Sequence, residues 1–158
     1  LGWLIAPKSV MERVVIAKQA TDFHSSNFAQ RVLHQYLTTN PIDTHIALIQ
    51  HAYATQCAAM VRAIEKYFPS DVRFTRPQGG MFIWMTLPPE ADSVAILDAA
   101  IDAGVTFLPG PTFYTDGGGR NQIRLSYSQQ DEAQIDEGIR RLADVVMRHL
   151  DGPHQPAQ

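Results

Sequence analysis

Residues Arg76 to Leu87 (RPQGGMFIWMTL) pass from one kind of backbone to another within a few positions, and this change constrains the fold more than any other stretch. Pro77 cannot continue a helix, because it lacks an N–H and fixes φ, and the Gly79-Gly80 pair admits a sharp turn or a positive φ. From there the side chains alternate. Met81, Ile83, Met85 and Leu87 share one face, and Phe82 and Trp84 share the other, with Thr86 behind them. A strand that is apolar on both faces predicts cover on both. Taken alone, it is either the central strand of a small α+β core or a strand whose Phe82, directly after the glycines, lines a ligand cleft.

The 158 residues suffice for one domain with a real core but hardly for two large ones. A charged fraction of 18% and a net charge of −3, with no basic block, give no sign of nucleic-acid or membrane-surface binding. No apolar run approaches the ~20 residues of a membrane span. Cys57 is the single cysteine, which rules out an internal disulfide and a cysteine-based metal site. With no signal peptide visible, a reducing cytoplasmic setting is expected.

Leu1 to Pro7 is an apolar, strand-like stretch without a polar lead-in, the pattern of a segment cut from a larger protein. Ser9 is a candidate N-cap for a first helix carrying Val10, Val14 and Ala17. His24 to Asn27 forms a polar knot of turn and cap formers, and a second helix turns Phe28, Val32, Leu33 and Tyr36 inward. A third, long helix is capped by Asp43 and carries Ile46, Ile49, Tyr53, Cys57, Met60, Ile64 and Tyr67 as its stripe, until Pro69 stops it. Beyond it the order is strand (71–75), strand (the opening stretch), helix capped by Ser93 with Val94, Leu97 and Ile101 inward, strand (105–108), the rigid turn Pro109-Gly110-Pro111, strand (123–127) and helix. The last helix starts at a capping-box-like Ser128-x-x-Asp131 and carries Ile135, Ile139, Leu142, Val146 and Leu150. The fold class is thus α/β with a small α+β domain, a small sheet with packed helices. Residues 69–150 form the compact unit, and 151–158 a polar, flexible tail.

The most informative single residue is Arg124. Ile123, Leu125 and Tyr127 take the core face of their strand, so Arg124 and Ser126 take the other. A guanidinium on a rigid strand beside the Gly117-Gly118-Gly119 connector suits bidentate capture of a carboxylate. An arginine on a solvated face, or in a structural ion pair, is the ordinary alternative.

Thr75 to Trp84 (TRPQGGMFIW), Leu108 to Tyr114 (LPGPTFY) and Asn121-x-Ile123-Arg124-Leu125-Ser126-Tyr127, in that order, resemble the C-terminal part of fold-type I, pyridoxal-phosphate-dependent aminotransferases. The group they most resemble is that of the 2-aminoadipate and kynurenine aminotransferases, and Lys18-Gln19-Ala20-x-Asp22-x-His24 and Leu1 to Pro7 fit it too. The resemblance implies amino-group transfer between an amino acid and a 2-oxo acid, pyridoxal 5′-phosphate as cofactor, and a homodimer. It implies that residues 1–68 are the end of the large cofactor-binding domain plus an interdomain helix, and that 69–150 are the small domain. It gives Arg124 the substrate α-carboxylate, sets Phe82 and Phe23 beside the substrate side chain, and puts Ser25, Ser26 and Asn27 at the dimer interface near the partner subunit's cofactor.

In the family the Schiff-base lysine lies upstream of the strand matched by Leu1 to Pro7, so no catalytic lysine is expected in this chain. Lys18 sits in a helical repeat without the family's Ser-x-x-Lys context. Gly117-Gly118-Gly119 lacks the Lys-Ser/Thr of a phosphate loop, the six histidines do not cluster, and Cys57 falls on an apolar stripe. A second implication belongs to another class. The same domain occurs behind a winged-helix DNA-binding domain in GntR/MocR-type bacterial regulators, where it senses ligand, and nucleic acid would be a partner only in such a fusion. A basic helix-turn-helix upstream would distinguish the two.

Overall fold

The computed structural model describes residues 1–152. Two compact units divide between Ala47 and Leu48.

The first unit holds helices α1 (Lys8–Thr21) and α2 (Asn27–Thr39) and the start of α3 (Ile42–Tyr67). Ser9 does not cap α1. Pro7 stands at the N-cap, where its fixed φ suits helix entry, and Ser9 lies within the first turn. Ser26 caps α2, its side chain accepting from the Ala29 amide. Residues 1–7 take no strand, because a strand needs a neighbour and none pairs with them among the described residues. The apolar stripe expected to face inward on α2 is exposed within this unit, with Phe28 at 77%.

The second unit contains the core. Strands β1 (Arg73–Phe74), β2 (Phe82–Thr86), β3 (Leu108–Pro109) and β4 (Gln122–Ser126) form an antiparallel sheet in the order β1-β2-β4-β3. The alternation expected for β2 is present. Ile83, Met85 and Leu87 are buried with Ile123, Leu125 and Tyr127 of the β4 segment, while Met81 at the strand's mouth stays exposed. Against this face pack Met60, Ala63 and Ile64 of α3, Ile96 and Ala100 of α4 (Ser93–Asp102), and Ile135, Ile139, Leu142 and Val146 of α5 (Glu132–Asp151). The second half of α3 therefore belongs to this core, and the two compact units part inside the helix.

Three local expectations are corrected. Asp92, not Ser93, caps α4, its carboxylate accepting from the amides of Val94 and Ala95. The helix turns Ile96 and Ala100 inward and leaves Val94 and Ile101 exposed. The capping box of α5 is Asp131 with Gln134, not Ser128 with Asp131. Asp151 closes α5, so the expected tail begins later, and its remainder lies outside the described residues.

The second face of the sheet is partly covered by one segment and otherwise open. After β3 the chain makes a 3₁₀ turn, Gly110–Phe113, and folds back over Trp84 and Gln122. Gly110 permits this. A Cβ there would clash with the Gly119 carbonyl oxygen, so only glycine allows the two ends of the segment to touch.

Candidate functional site

On this second face Arg124 stands in the middle of β4, paired through its backbone with Trp84 of β2 on one side and Leu108 of β3 on the other. Phe82 lies on the diagonal, since its own partner is Ser126, and diagonal neighbours are within reach of long side chains. The Arg124 guanidinium carbon sits 4.0 Å from the Phe82 ring centroid and 4.6 Å from that of Phe113. Trp84 meets Phe113 edge-on, with ring centroids 5.3 Å apart and planes at 78°.

No carboxylate pairs with Arg124 among the described residues, and its buried Nε has no hydrogen-bond partner. Five other arginines of this unit are engaged in ion pairs, whereas Arg73 of β1 has none. Arg62 pairs with Glu132, Arg76 with Glu65, Arg120 with Asp92, and Arg140 and Arg141 with Glu137. Aromatic rings attract a cation but cannot satisfy its N–H donors. Arg124 is therefore a fixed cation with donors to spare, which is the requirement for binding an anion. A groove of about 620 Å³ runs past it, bordered by Phe82, Leu108 and Ser126 on the sheet and by Gln129, Gln130 and Gln134 at the start of α5.

Asp92 shows how a structural pair differs. Burial pushes its carboxyl up, but hydrogen bonds from Arg120 and from the amides of Val94 and Ala95 bring it below its usual value. That carboxylate is satisfied, and so is its arginine.

Phe23 and Ser25 to Asn27 belong to the first unit. Phe23 has φ 65°, a left-handed conformation rare for a bulky residue, and its side chain is exposed. Ser25 accepts through its carbonyl from Gln30, Ser26 is committed as the cap, and Asn27 opens α2. Arg124 and Phe82 are thus brought together as a site, and the other four are placed only within their own unit. Phe113 went unrecognised in the sequence, where its only signal was an aromatic pair directly after Pro-Gly-Pro-Thr.

The three lysines are paired on the surface, Lys8 with Glu12 at 3.9 Å, Lys18 with Asp22 at 2.8 Å and Lys66 with Asp136 at 3.4 Å. In the glycine connector the Gly118 amide donates to Asp116 and the Gly119 carbonyl accepts from Gln122. No His/Cys/Asp/Glu cluster suited to a metal occurs among the described residues, nor any helix long and apolar enough to cross a membrane.

A small antiparallel sheet backed by helices is the fold of part of a fold-type I aminotransferase. The chain belongs to the aminotransferase class I and II family, whose model matches residues 1–142. It is 34% identical to 2-aminoadipate transaminase of Thermus thermophilus over 92% of its own length and 36% of that protein's. A crystal structure of kynurenine aminotransferase from Pyrococcus horikoshii, in complex with PMP, kynurenine and its product, superposes with a TM-score of 0.78. There the identity is 38%, over 92% of this chain and 36% of that one. An HTH-type transcriptional regulator of Bacillus subtilis, YdfD, is 26% identical over 92% of this chain and 30% of its own length. The chain spans little more than a third of the length of the curated aminotransferases it matches.

Proposed function

We propose that the protein transfers an amino group between an amino acid and a 2-oxo acid, and that this chain supplies the carboxylate end of the substrate site. The observation that carries this reading is Arg124, a rigidly held guanidinium without a carboxylate partner on the open face of the sheet. Both substrate classes carry a carboxylate next to the reacting carbon, so one arginine serves both halves of the exchange. Its two-pronged contact fixes the substrate's orientation, and Phe82 beside it keeps water from competing. Pyridoxal phosphate, when bound, supplies the electron sink of such a reaction. In this reading the part played by this chain's own residues is binding and orientation.

The kynurenine aminotransferase complex and the aminoadipate transaminase support this reading and the choice of cofactor. In the same reading the protein is a cytoplasmic homodimer, Ser25, Ser26 and Asn27 approach the partner subunit's cofactor, and Phe23 and Phe82 border the substrate side chain. With Ser26 used as a cap, Ser25 and Asn27 are the two left for that contact. The domain boundary at residue 68, with the small domain over 69–150, is part of this proposal. A second reading, a ligand-sensing domain of a winged-helix regulator, rests on the similarity to YdfD, which is lower in identity than that to the transaminases.

The test is Arg124→Ala in the intact protein. Loss of a bidentate contact that leaves a desolvated carboxylate unpaired should lower kcat/KM for every amino-acid substrate by about two to four orders of magnitude, at ~1.4 kcal/mol per tenfold. Cofactor absorbance should persist, and Arg124→Lys should recover little, because an ammonium cannot make the two-pronged contact. Near-normal kcat/KM in Arg124→Ala would overturn the assignment.

A further inference from the structure

An arginine side chain on an open sheet face has several rotatable bonds, and a carboxylate site needs it in one arrangement. Phe82 comes from the neighbouring strand and supports one approach to the guanidinium. The second support is Phe113, at the end of the 3₁₀ turn, on a segment that crosses back over the sheet. This segment is built to stay put. Gly110 and Gly119 close its ends against each other, with no room for a Cβ at Gly110. The Tyr114 hydroxyl donates to Gln122 Oε1 at 2.6 Å, next but one to Arg124 on the same strand face. Gly119 has φ +74°, and a Cβ there would lie 2.5 Å from the Tyr114 ring, so the ring packs closely against the returning chain. Phe113 itself remains 42% exposed, with its edge-on contact to Trp84 on one side.

We infer that Phe113 is a positioning residue, which acts through Arg124 by holding its guanidinium in the orientation that receives the substrate carboxylate. The inference rests on the reading that Arg124 takes that carboxylate. An aromatic face attracts the cation while leaving its N–H donors unoccupied, so the ring orders the arginine without competing for its ligand. A carboxylate side chain in the same place would order it too, but would fill the site. The strap therefore supplies preorganisation, and its loss should appear as weaker carboxylate binding.

The experiment uses the intact protein and propionate, a carboxylate with neither amino nor oxo group, as a competitive inhibitor. Phe113→Leu and Phe113→Ala should raise the propionate inhibition constant and the KM for amino acids about tenfold. That factor corresponds to ~1.4 kcal/mol, within the range of a partly desolvated cation on an aromatic face. The larger share should fall in KM rather than kcat, and Phe113→Tyr, which restores the face, should recover the wild-type values. In an Arg124→Ala background Phe113→Leu should add nothing further. Wild-type propionate binding in Phe113→Leu, alongside a crippled Arg124→Ala, would overturn the role of Phe113 alone. An undiminished Phe113→Leu effect in the Arg124→Ala background would do the same, since the ring would then act independently of the arginine. Wild-type propionate binding in Arg124→Ala would overturn the carboxylate reading itself. Phe113→Leu keeps the test open if Phe113→Ala does not fold.

Discussion

Tyr127 shows what one buried polar atom does to the core. The strand alternation puts it on the core face, where it is 1% exposed, and it meets Tyr53 edge-on with ring centroids 6.4 Å apart. Burial, and after it the neighbouring Cys57 thiol, push its phenol up to about 12. Cys57, placed by the sequence on the apolar stripe of α3, is half-buried and lies against this phenol. The folded phenol holds its proton more tightly than an unfolded one, which titrates near 10.0. Its contribution to stability is therefore complete below pH ~10 and is lost as pH rises towards ~12. Alkaline unfolding followed by circular dichroism should steepen in that window, and Tyr127→Phe should remove the additional slope. An unchanged alkaline limb in Tyr127→Phe would show that other groups set it.

At the scale of elements, α5 ties the second unit together, and charge as well as packing does so. Gln56 donates to the Gln130 carbonyl, Arg62 pairs with Glu132, and Asp136 accepts from Lys66 and Tyr67, so α3 and α5 are clamped along one edge. Within α5, Glu137 is held down to about 2 by hydrogen bonds from Arg140 first and Arg141 next. A folded pKa below the ordinary 4.5 means that the contribution is present above pH ~4.5 and fades as pH falls towards ~2. Thermal unfolding of Glu137→Gln should accordingly lose part of its acid dependence between those limits, while wild type keeps it. The stripe of α5 was legible because Ile135, Ile139, Leu142 and Val146 leave only one helical phase. The phase of α4 was not legible, because Val94, Ile96, Leu97 and Ile101 are all apolar and packing against the sheet and α5 decides which turn inward. Likewise the alternation around Arg124 gave its face, and the strand spacing brought Phe82 to it. The approach of Phe113 depends on the path of a strap whose closure, Gly110 against Gly119, is a tertiary fact with no periodic signature. Leu1 to Pro7 reads as a strand by composition, yet composition supplies no partner to bond with.

At the scale of the whole molecule, the buried apolar residues all fall between Ala59 and Val146, and none of residues 1–47 is buried. Helices α1 and α2 are 14 and 13 residues long, and isolated helices of ~12–15 residues are marginal in water unless an apolar face is covered. That face is uncovered within the first unit. Trp3 is 89% exposed, Ile5 90% and Phe28 77%, a concentration of apolar surface that water disfavours. Dissolved alone, the 158-residue chain should therefore behave as a stable second unit carrying an adhesive first one. Amide hydrogen exchange across a dilution series separates the two. Amides of β2, β4 and α5 should be protected at every concentration, because their core is complete within residues 48–152. Amides of Lys8–Thr39 should exchange rapidly when dilute and gain protection only as the concentration rises and the exposed faces of separate copies cover one another. If α1 and α2 were as protected as β4 in the most dilute sample, the first unit would have a source of stability that its exposed apolar residues do not provide.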